Sequence, residues 1–260
     1  MRLKALVLGI VLALAAGGPA AAQGGVLRIG IDGTYPPFSS VEKGGKLTGF
    51  DVDIAQALCK QMQAKCQLVK MKDWYNLIPS IQAGEFDVVV ASMSITPERQ
   101  QKIDFTDRYY TTPVKLVARQ GSGIAGTPAS LQGRRLGVQR GTTHETYALA
   151  KLGGIAQLQS FDTLDQALGE LAAGRLDVVM GDSLALLKGF LAEKRGKGFE
   201  FVGPEFTDPA YFGAGLGIAL PKQRDELRNR LNQALAEIRA NGTYRTIAAK
   251  YFPFDIYGGN

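Results

Sequence analysis

Histidine and cysteine are scarce in this chain, and their scarcity excludes several kinds of chemistry. The 260 residues contain one histidine, His144, and two cysteines, Cys59 and Cys66. A structural zinc site takes about four cysteine or histidine ligands, so we expect no metal ion, and no motif indicates a cofactor. A strand-to-helix nucleophile elbow with a Ser–His–Asp set is missing too, which argues against a serine hydrolase.

Runs of basic residues are missing as well. The formal net charge is +6, from 30 basic and 24 acidic residues. Loss of Arg2 and Lys4 with an N-terminal segment would leave 28 basic residues and a net charge of +4. The basic residues are scattered and do not alternate with aromatic ones, so we expect no nucleic-acid partner.

Long apolar segments are absent after the first 25 residues. Those residues begin with two basic side chains, continue with an apolar stretch over 5–16 and end in small residues, including three alanines at 20–22. This pattern predicts a secretory signal peptide over 1–22 that is cleaved after Ala22. The apolar stretch is short for a bilayer span, so we expect the segment to be cleaved and the mature protein to be released rather than anchored in the membrane.

The two cysteines are consistent with export. An even number of cysteines in an exported protein favours a disulfide, and two free thiols are the alternative. Cys59 falls late in a helical pattern, and a continuous helix would separate it from Cys66 by about 10 Å, too far for a disulfide. A disulfide therefore requires the helix to end near 62–64 and the chain to turn back.

The hydrophobic pattern predicts an α/β fold. Strands are expected at 26–32, 66–71, 86–91, 134–139, 158–161 and 175–183, with a loop at 33–39. Helices are expected at 50–62, 77–84, 143–152, 164–174, 224–242 and 243–252. Because strands alternate with helices, the pattern indicates parallel sheets.

A partial repeat indicates two lobes of similar construction. The stretch "IQAGEFDVVVASMS" resembles "LAAGRLDVVMGDS", which begins its Ala-Gly pair 90 residues later. In both, a helix ends in Ala-Gly and an Asp-Val-Val strand leads into polar residues. Two extended segments, 111–118 and 210–219, are the places where the chain is expected to pass between the lobes.

Polar residues gather where the predicted strands end, and ligands bind at that edge of such sheets. Arg99 can pair with a carboxylate, and the Thr142–Thr143 loop precedes a helix whose positive end favours an anion. Asp182 can accept from an ammonium group. Asp32 is a second carboxylate, placed to meet a cationic side chain. The set therefore predicts a site for an α-amino acid.

Each of these residues also has a structural interpretation. Arg99 could be a surface residue, and Asp32 and Asp182 could be turn or cap residues. The threonines could serve only as a helix cap. His144 fits the start of a helix that flanks the loop better than it fits a catalyst, and Trp74 fits an ordinary core residue. Their common position at strand ends favours the functional interpretation.

The whole mature chain resembles the periplasmic amino-acid-binding proteins of ABC importers, solute-binding protein family 3. It is most similar to the lysine/arginine/ornithine- and histidine-binding group. The resemblance is carried by "RIGIDGTYPPFSS", "GFDVDIAQALCKQMQAKC", "LIPSIQAGEFDVVVASMSITPERQQKIDFTDRYY", "GVQRGTTHETYA", "AGRLDVVMGD", "YFGAGLGIAL" and "ANGTYRTIAAKYF".

The resemblance implies the two-lobed periplasmic-binding-protein fold of type II, with two hinge strands and a ligand cleft between the lobes. Lobe 1 would comprise 26–111 and 213–260, and lobe 2 would comprise 112–212. The cleft would close over one amino acid. The expected partners are that amino acid and the membrane permease subunits with their cytoplasmic ATPase, and the expected state is a monomer.

The resemblance also implies a role for each site residue. Arg99, helped by Ser94 and Thr143, would hold the α-carboxylate. Asp182, with Ser92, would hold the α-ammonium. Asp32 would meet the charged end of the side chain. The remaining implied assignments are Tyr35 and Trp74 on the two faces of that side chain and a Cys59–Cys66 disulfide.

The chain departs from the family pattern at several lining positions. Ala91 stands where serine is common, Trp74 where phenylalanine is common, Gln139 for an apolar residue, Thr142 for serine and His144 for glutamine. The indole face and the retained Asp32 favour arginine, followed by lysine, ornithine and histidine. An arginine-derived opine is an alternative because Ala91 leaves room, and an uncharged amino acid is another.

Two other classes of protein have to be weighed. Dehydratases that act on arogenate or prephenate share the fold, but they need a general acid in the cleft. Asp32 and Asp182 are better explained as partners of ammonium groups, so we expect no enzyme. A receptor or sensor would be expected to have a membrane segment or an output domain, for which the sequence offers no pattern.

Overall fold

A computed structural model of the chain describes residues 25–258. The predicted signal peptide at 1–22 lies outside the described residues and stays a prediction. Within 25–258, no helix combines the length and the apolar character that a membrane crossing requires.

Strands and helices alternate through most of the described chain. The strands are β1 (Leu27–Ile31), β2 (Thr34–Tyr35), β3 (Ser39–Val41), β4 (Leu47–Thr48), β5 (Cys66–Lys70), β6 (Val88–Ser94), β7 (Asp104–Tyr110), β8 (Val114–Arg119), β9 (Arg135–Gln139), β10 (Gln157–Phe161), β11 (Val178–Asp182), β12 (Phe199–Phe206) and β13 (Leu216–Leu220). The helices are α1 (Phe50–Gln61), α2 (Leu77–Gln82), α3 (Pro97–Lys102), α4 (Pro128–Leu131), α5 (Thr143–Leu152), α6 (Leu164–Ala172), α7 (Ser183–Leu186), α8 (Pro209–Phe212), α9 (Asp225–Ala240) and α10 (Thr243–Tyr251), with a π-helical turn at Leu187–Leu191 and a 3-10 turn at Lys194–Gly196.

Two five-stranded sheets form the centres of the two lobes. Their strand orders are β5-β1-β6-β13-β7 and β10-β9-β11-β8-β12. The first three strands of each sheet are parallel, but β13 and β7, like β8 and β12, pair antiparallel. The six strands predicted from the sequence are the parallel ones, so parallel pairing is confirmed for them, and β7, β8, β12 and β13 make each sheet as a whole mixed. Antiparallel neighbours need no crossover helix, and β8 and β13 arrive directly from the other sheet.

A third, small sheet lies between β1 and α1, and its first strand, β2, falls within the segment 33–39 that was predicted as a loop. Its order is β2-β3-β4, with antiparallel pairs. The strands contain only two or three residues each, and glycines and prolines interrupt the segment. Strands this short show too little alternation of apolar and polar residues to be recognised, and the glycines and prolines favour a loop.

The repeat detected in the sequence corresponds to equivalent positions in the two sheets. β6 and β11 each lie third in their sheet. Before β6, Asp87 accepts hydrogen bonds from the backbone and side chain of Arg28 on β1. Before β11, Asp177 accepts the same bonds from Arg135 on β9. The two lobes are thus built alike around an arginine–aspartate pair.

The chain passes between the sheets twice. It leaves β7 at Tyr110 and enters β8 at Val114, and it leaves β12 at Phe206 and enters β13 at Leu216. The first predicted crossing, 111–118, is therefore mostly a strand of the second sheet. The second, 210–219, was predicted to be extended, but α8 occupies 209–212.

Aromatic rings fix the start of α1 against β7. Phe38, Phe50, Tyr109 and Tyr110 are fully buried. The Phe50 ring stacks on Tyr109 with centroids 6.2 Å apart, and Tyr109 meets Tyr110 edge to face at 4.9 Å. Such pairs stabilise beyond the area that they bury. The first turn of α1 consequently has a fixed position behind the end of β6.

The predicted disulfide is present. α1 ends at Gln61, and Gln63 adopts a positive φ of 51° that turns the chain back. Cys66 then opens β5, its Cα atom 6.2 Å from that of Cys59, with the two sulfur atoms bonded. The expectation that the helix ends near 62–64 is confirmed.

We expect that replacing both Cys59 and Cys66 by alanine lowers the free energy of unfolding by about 2–3 kcal/mol, because the eight-residue loop no longer restricts the unfolded chain. Urea unfolding followed by circular dichroism measures the change. Dithiothreitol should lower the wild-type midpoint and leave that of the double variant unchanged. Equal midpoints for wild type and variant would contradict the prediction.

Candidate functional site

Eleven of the twelve predicted ligand-binding residues line one narrow cavity of about 30 Å³ between the lobes. We call it the narrow compartment. It is lined by Asp32, Tyr35, Trp74, Ala91, Ser92, Ser94, Arg99, Gln139, Thr142, Thr143 and His144. The first seven of these precede the first crossing and the last four follow it, so the two lobes face each other across the compartment.

Asp182, the twelfth residue, lines a neighbouring cavity of about 290 Å³. Tyr35, Ser92, Ser94 and His144 line both cavities, so the two adjoin. The second cavity is bounded by both crossing segments, and we call it the hinge-side compartment. Asp182 thus shares its compartment with these four predicted residues and lies apart from the other seven.

Arg99 is a buried cation held by carbonyl groups. It lies on α3, whose first turn is capped by the Thr96 hydroxyl, and it is 8% exposed. Its Nη1 donates to the carbonyl of Ser94 and its Nη2 to the carbonyl of Gly141, both at 3.2 Å. Burial lowers the pKa of Arg99 to about 10, which leaves the group charged at neutral pH.

No ion pair among residues 25–258 includes Arg99. A buried charge without a counter-ion is costly, and a guanidinium can bind a carboxylate through two parallel hydrogen bonds. The position of Arg99 therefore suits an anionic group that enters the cleft.

The cleft also contains two buried carboxyl groups, which do not pair with Arg99. Asp32 is 4% exposed and accepts from the Thr34 hydroxyl at 2.8 Å. Asp182 is 7% exposed and accepts from the Thr112 hydroxyl and from the backbone N–H groups of Leu184 and Ala185 in α7. Burial raises the pKa of Asp32, and it raises the pKa of Asp182 to about 6. Neither carboxyl forms an ion pair within the described chain, so both can receive cations.

Trp74 makes a contact that its sequence context did not indicate. Its indole Nε1 donates across the cleft to the carbonyl of Gly141 at 3.1 Å, and its ring centroid lies 5.8 Å from the Arg99 guanidinium. Gly141 has a φ of 72°, and a Cβ atom there would lie 3.3 Å from the Tyr75 ring. One carbonyl of lobe 2 thus accepts from two side chains of lobe 1.

The segment that follows β9 forms the other wall of the narrow compartment. Thr142 caps α5 and donates to the carbonyl of Gln139, so its hydroxyl is engaged within its own lobe. The Thr143 hydroxyl lies 3.5 Å from the Ser94 hydroxyl of lobe 1. Burial, reinforced by the Arg99 charge, lowers the pKa of His144 to about 3, so its imidazole is neutral at neutral pH.

Sequence reasoning missed three residues behind these walls. Glu145 accepts from the backbone N–H of Gly141 at 2.7 Å and so holds the loop whose carbonyl contacts Arg99. Asp51 and Tyr109 hydrogen-bond Ser92 from behind β6. The available signal was an acidic residue, Asp51, at the apolar start of a helix.

The sequence matches the model of one protein family over residues 27–254: bacterial extracellular solute-binding proteins, family 3. The chain belongs to this family. It is 44% identical over 236 residues to the L-arginine-binding protein of Pseudomonas aeruginosa, covering 90% of each chain. It is 43% identical over 262 residues to the histidine-binding periplasmic protein of Escherichia coli K12, covering 99% of this chain and all of the relative.

A solved structure supports the two-lobed fold. It is that of a periplasmic binding protein from Salmonella typhimurium described as having high arginine specificity, and it superposes with a TM-score of 0.80 at 35% identity. The match covers 87% of this chain and 99% of that one. The family is one of solute-binding proteins, so the expectation of a non-enzyme is confirmed.

We expect Trp74→Phe to shift the protein toward an open form by a factor of about 2–10, because loss of one hydrogen bond across the cleft costs about 0.5–1.5 kcal/mol. Phenylalanine keeps an aromatic face and removes only the donor. Small-angle X-ray scattering of the ligand-free protein should then give a larger radius of gyration. Tyr75→Phe, which removes an exposed hydroxyl, is the control, and an equal radius for Trp74→Phe and wild type would contradict the prediction.

Proposed function

We propose that this protein is the periplasmic binding component of an ABC importer and that it captures a basic L-amino acid, with arginine favoured over lysine, ornithine and histidine. The observation that carries the proposal is the charge pattern of the cleft. A buried cation, Arg99, and two buried carboxyls, Asp32 and Asp182, form no ion pair within residues 25–258, and Lys70 acts on Asp32 only from beyond ion-pair distance. A basic amino acid has one carboxylate and two cationic groups, so it complements all three.

Arg99 is the proposed partner of the α-carboxylate. Two of its N–H groups bond to carbonyls, which fixes the plane of the guanidinium and leaves further N–H groups for the ligand. The neighbouring hydroxyls of Ser94 and Thr143 lie on opposite walls, 3.5 Å apart. A carboxylate between them would accept from both lobes and so favour closure.

The two carboxyls would divide the cationic groups of the ligand. Asp182, in the hinge-side compartment, suits the α-ammonium, because Ser92 and Ser94 connect that compartment with the position of the carboxylate. Asp32, in the narrow compartment with Tyr35 and Trp74, suits a guanidinium or ammonium at the end of the side chain. Ala91, Gln139, Thr142 and His144 complete the wall and exclude water.

The expected lobe boundaries, 26–111 with 213–260 and 112–212, are part of the proposal. The division of strands between the two sheets supports them, because β8 to β12 belong to one sheet and β13 returns to the other. Closure by rotation about the crossing segments would present both lobes to permease subunits that a cytoplasmic ATPase drives. A signal peptide at 1–22 would deliver the protein, as a monomer, to the periplasm, and the periplasmic location of the histidine-binding relative supports this.

The hinge-side compartment bears on the opine alternative. Its lining includes Asp182, which forms no ion pair within residues 25–258, and Glu205, which pairs with Lys115 outside the lining, and neither lysine nor arginine is among its lining residues. The imidazole of His144, which also lines it, is neutral because its pKa is lowered to about 3. A second ligand carboxylate would meet negative charge there, so an unsubstituted amino acid fits better.

We expect Arg99→Ala to abolish measurable binding of every amino acid, because loss of a buried charged partner costs about 3–5 kcal/mol and turns a micromolar complex into a millimolar one. Isothermal titration calorimetry on unfolded and refolded mature protein measures this. The matched control is Lys102→Ala on the same helix, whose exposed ammonium pairs with Glu98. Tight arginine binding by Arg99→Ala would refute the assignment.

Asp32→Asn should remove the preference for a charged side chain and leave the recognition of the α-amino and α-carboxyl groups intact. Arginine and its uncharged isostere citrulline make the comparison. Wild type should bind arginine at least about tenfold more tightly, and the variant should bind both within about threefold, since a charge-assisted hydrogen bond contributes about 1.5–3 kcal/mol. If the ratio of the citrulline and arginine dissociation constants is unchanged in Asp32→Asn, Asp32 does not determine the preference for a charged side chain.

Arginine affinity should fall as the pH is lowered. Burial raises the pKa of Asp182 to about 6, so the carboxyl is protonated below that pH and cannot pair with an ammonium group. The dissociation constant at pH 5 should be about tenfold larger than at pH 7.5, while arginine keeps its charges over that range. Calorimetry at the two pH values, with circular dichroism to verify folding, tests this. An equal affinity at both values would contradict it.

A further inference from the structure

Asp51 is a buried carboxyl group that lines neither compartment of the cleft. It lies in the first turn of α1 and is 0% exposed. Its Oδ2 accepts from the Ser92 hydroxyl at 2.9 Å, and its Oδ1 accepts from the Tyr109 hydroxyl at 2.8 Å. The Tyr109 oxygen in turn accepts from the backbone N–H of Ser92 at 2.9 Å. The three residues form a closed ring of hydrogen bonds.

Ser92 has an unusual backbone within this ring. Its φ is 55°, a conformation that residues with a Cβ atom rarely adopt. It lies inside β6, where neighbouring residues would be expected to stay extended. Both of its own donors, the N–H and the hydroxyl, are directed to the ring behind the strand. Neither of these donors is therefore left for a ligand, whereas the Ser92 hydroxyl oxygen can still accept from the α-ammonium that the resemblance assigns to it.

The pairing of β6 with β13 is irregular at the same place. Met93 pairs with Gly217 and Val89 pairs with Ala219, so three residues of β6 stand opposite Ile218 alone. Ile218 donates its N–H to the Thr106 hydroxyl. Extra residues on one strand form a bulge, and bulges redirect the groups beside them. The ring of hydrogen bonds lies at this bulge, immediately before Ser94.

We infer that Asp51 is a positioning residue for the ligand site, which holds Ser92 in its left-handed conformation and thereby sets the position of residues 91–94 in the cleft. The inference rests on the proposed function, in which this segment contacts the α-amino and α-carboxyl groups. Those groups are common to all amino acids. Asp51 should therefore control affinity for every ligand alike, whereas Asp32 controls the ranking between ligands.

The main test is Asp51→Asn, which keeps the side-chain shape but offers one acceptor oxygen to two hydroxyl donors. Arginine and lysine should each bind at least tenfold more weakly, with the ratio of their dissociation constants unchanged. The matched control is Asp53→Asn, on the same helical turn, whose carboxylate bonds Lys250 and Tyr251 away from the cleft. Affinities in this control should stay within twofold of wild type.

Two further variants separate positioning from a general loss of stability. Tyr109→Phe removes two bonds of the ring and should reproduce the uniform loss, even if Asp51→Asn does not fold. The double variant Asp51→Asn with Ser92→Gly should bind arginine at least threefold more tightly than Asp51→Asn alone, because glycine adopts a positive φ without support. A merely structural role of Asp51 would give no such recovery.

The backbone can be examined without any ligand. A crystal structure of Asp51→Asn, or of Tyr109→Phe, should show Ser92 outside the left-handed region. If Ser92 keeps its φ near 55°, or if the variants bind arginine as wild type does, the inference is overturned. If wild type binds some other amino acid, the proposed function fails, and the same comparison with that amino acid still decides the role of Asp51.

Discussion

Charges that are buried without partners are the constraint on which the rest of this structure depends. Within residues 25–258, the Arg99 guanidinium donates to two carbonyl oxygens, and neither Arg99 nor the buried carboxyls Asp32 and Asp182 form an ion pair. Such an arrangement costs folding free energy, since each ion has lost hydration. Under the proposed function, a zwitterion with a cationic side chain would bring an oppositely charged partner to each of the three groups. Affinity and folding stability are therefore opposed in this cleft, as is common at sites prepared for a ligand.

The scaffold holds these charges in place by local hydrogen bonds. Asp182 is fixed by two backbone N–H groups of α7 and by Thr112, and Arg99 by the Thr96 cap and the carbonyl of Ser94. The two sheets supply rigid edges, each braced by an arginine–aspartate pair before its third strand. Because the fixed groups belong to strand ends and helix starts, little reorganisation is needed when a ligand binds. That preorganisation reduces the entropic cost of association.

Much of this could be predicted from the sequence, for identifiable reasons. Long helices with an apolar stripe and buried Asp-Val-Val strands have strong hydrophobic patterns, so these elements could be predicted. The motifs of the family pointed to twelve ligand-binding residues, and eleven of them line one cavity. The antiparallel direction of β8 and β13 could not be predicted, because direction depends on which sheet the chain enters next. The sequence also did not predict two backbone features of the site. Neither the acceptor role of the Gly141 carbonyl nor the positive φ of Ser92 has a side-chain signal.

Hydrogen bonds between the lobes stabilise the closed form of this protein even without a ligand. The Gly141 carbonyl accepts from Trp74 and from Arg99, so part of the closed arrangement is stabilised without any ligand atom. The neutral Trp74 bond contributes about 0.5–1.5 kcal/mol and the charged Arg99 bond about 1.5–3 kcal/mol, or about 2–4.5 kcal/mol together, whereas each buried charged pair with a ligand would cost about 3–5 kcal/mol to break. Under the proposed function, three such pairs would outweigh the two bonds across the cleft, so closure would still depend on occupancy. A permease that recognises the closed form can thus distinguish loaded from empty protein, provided the indole bond stays weak. Tryptophan at position 74 therefore makes closure easier but reduces the difference between the two states.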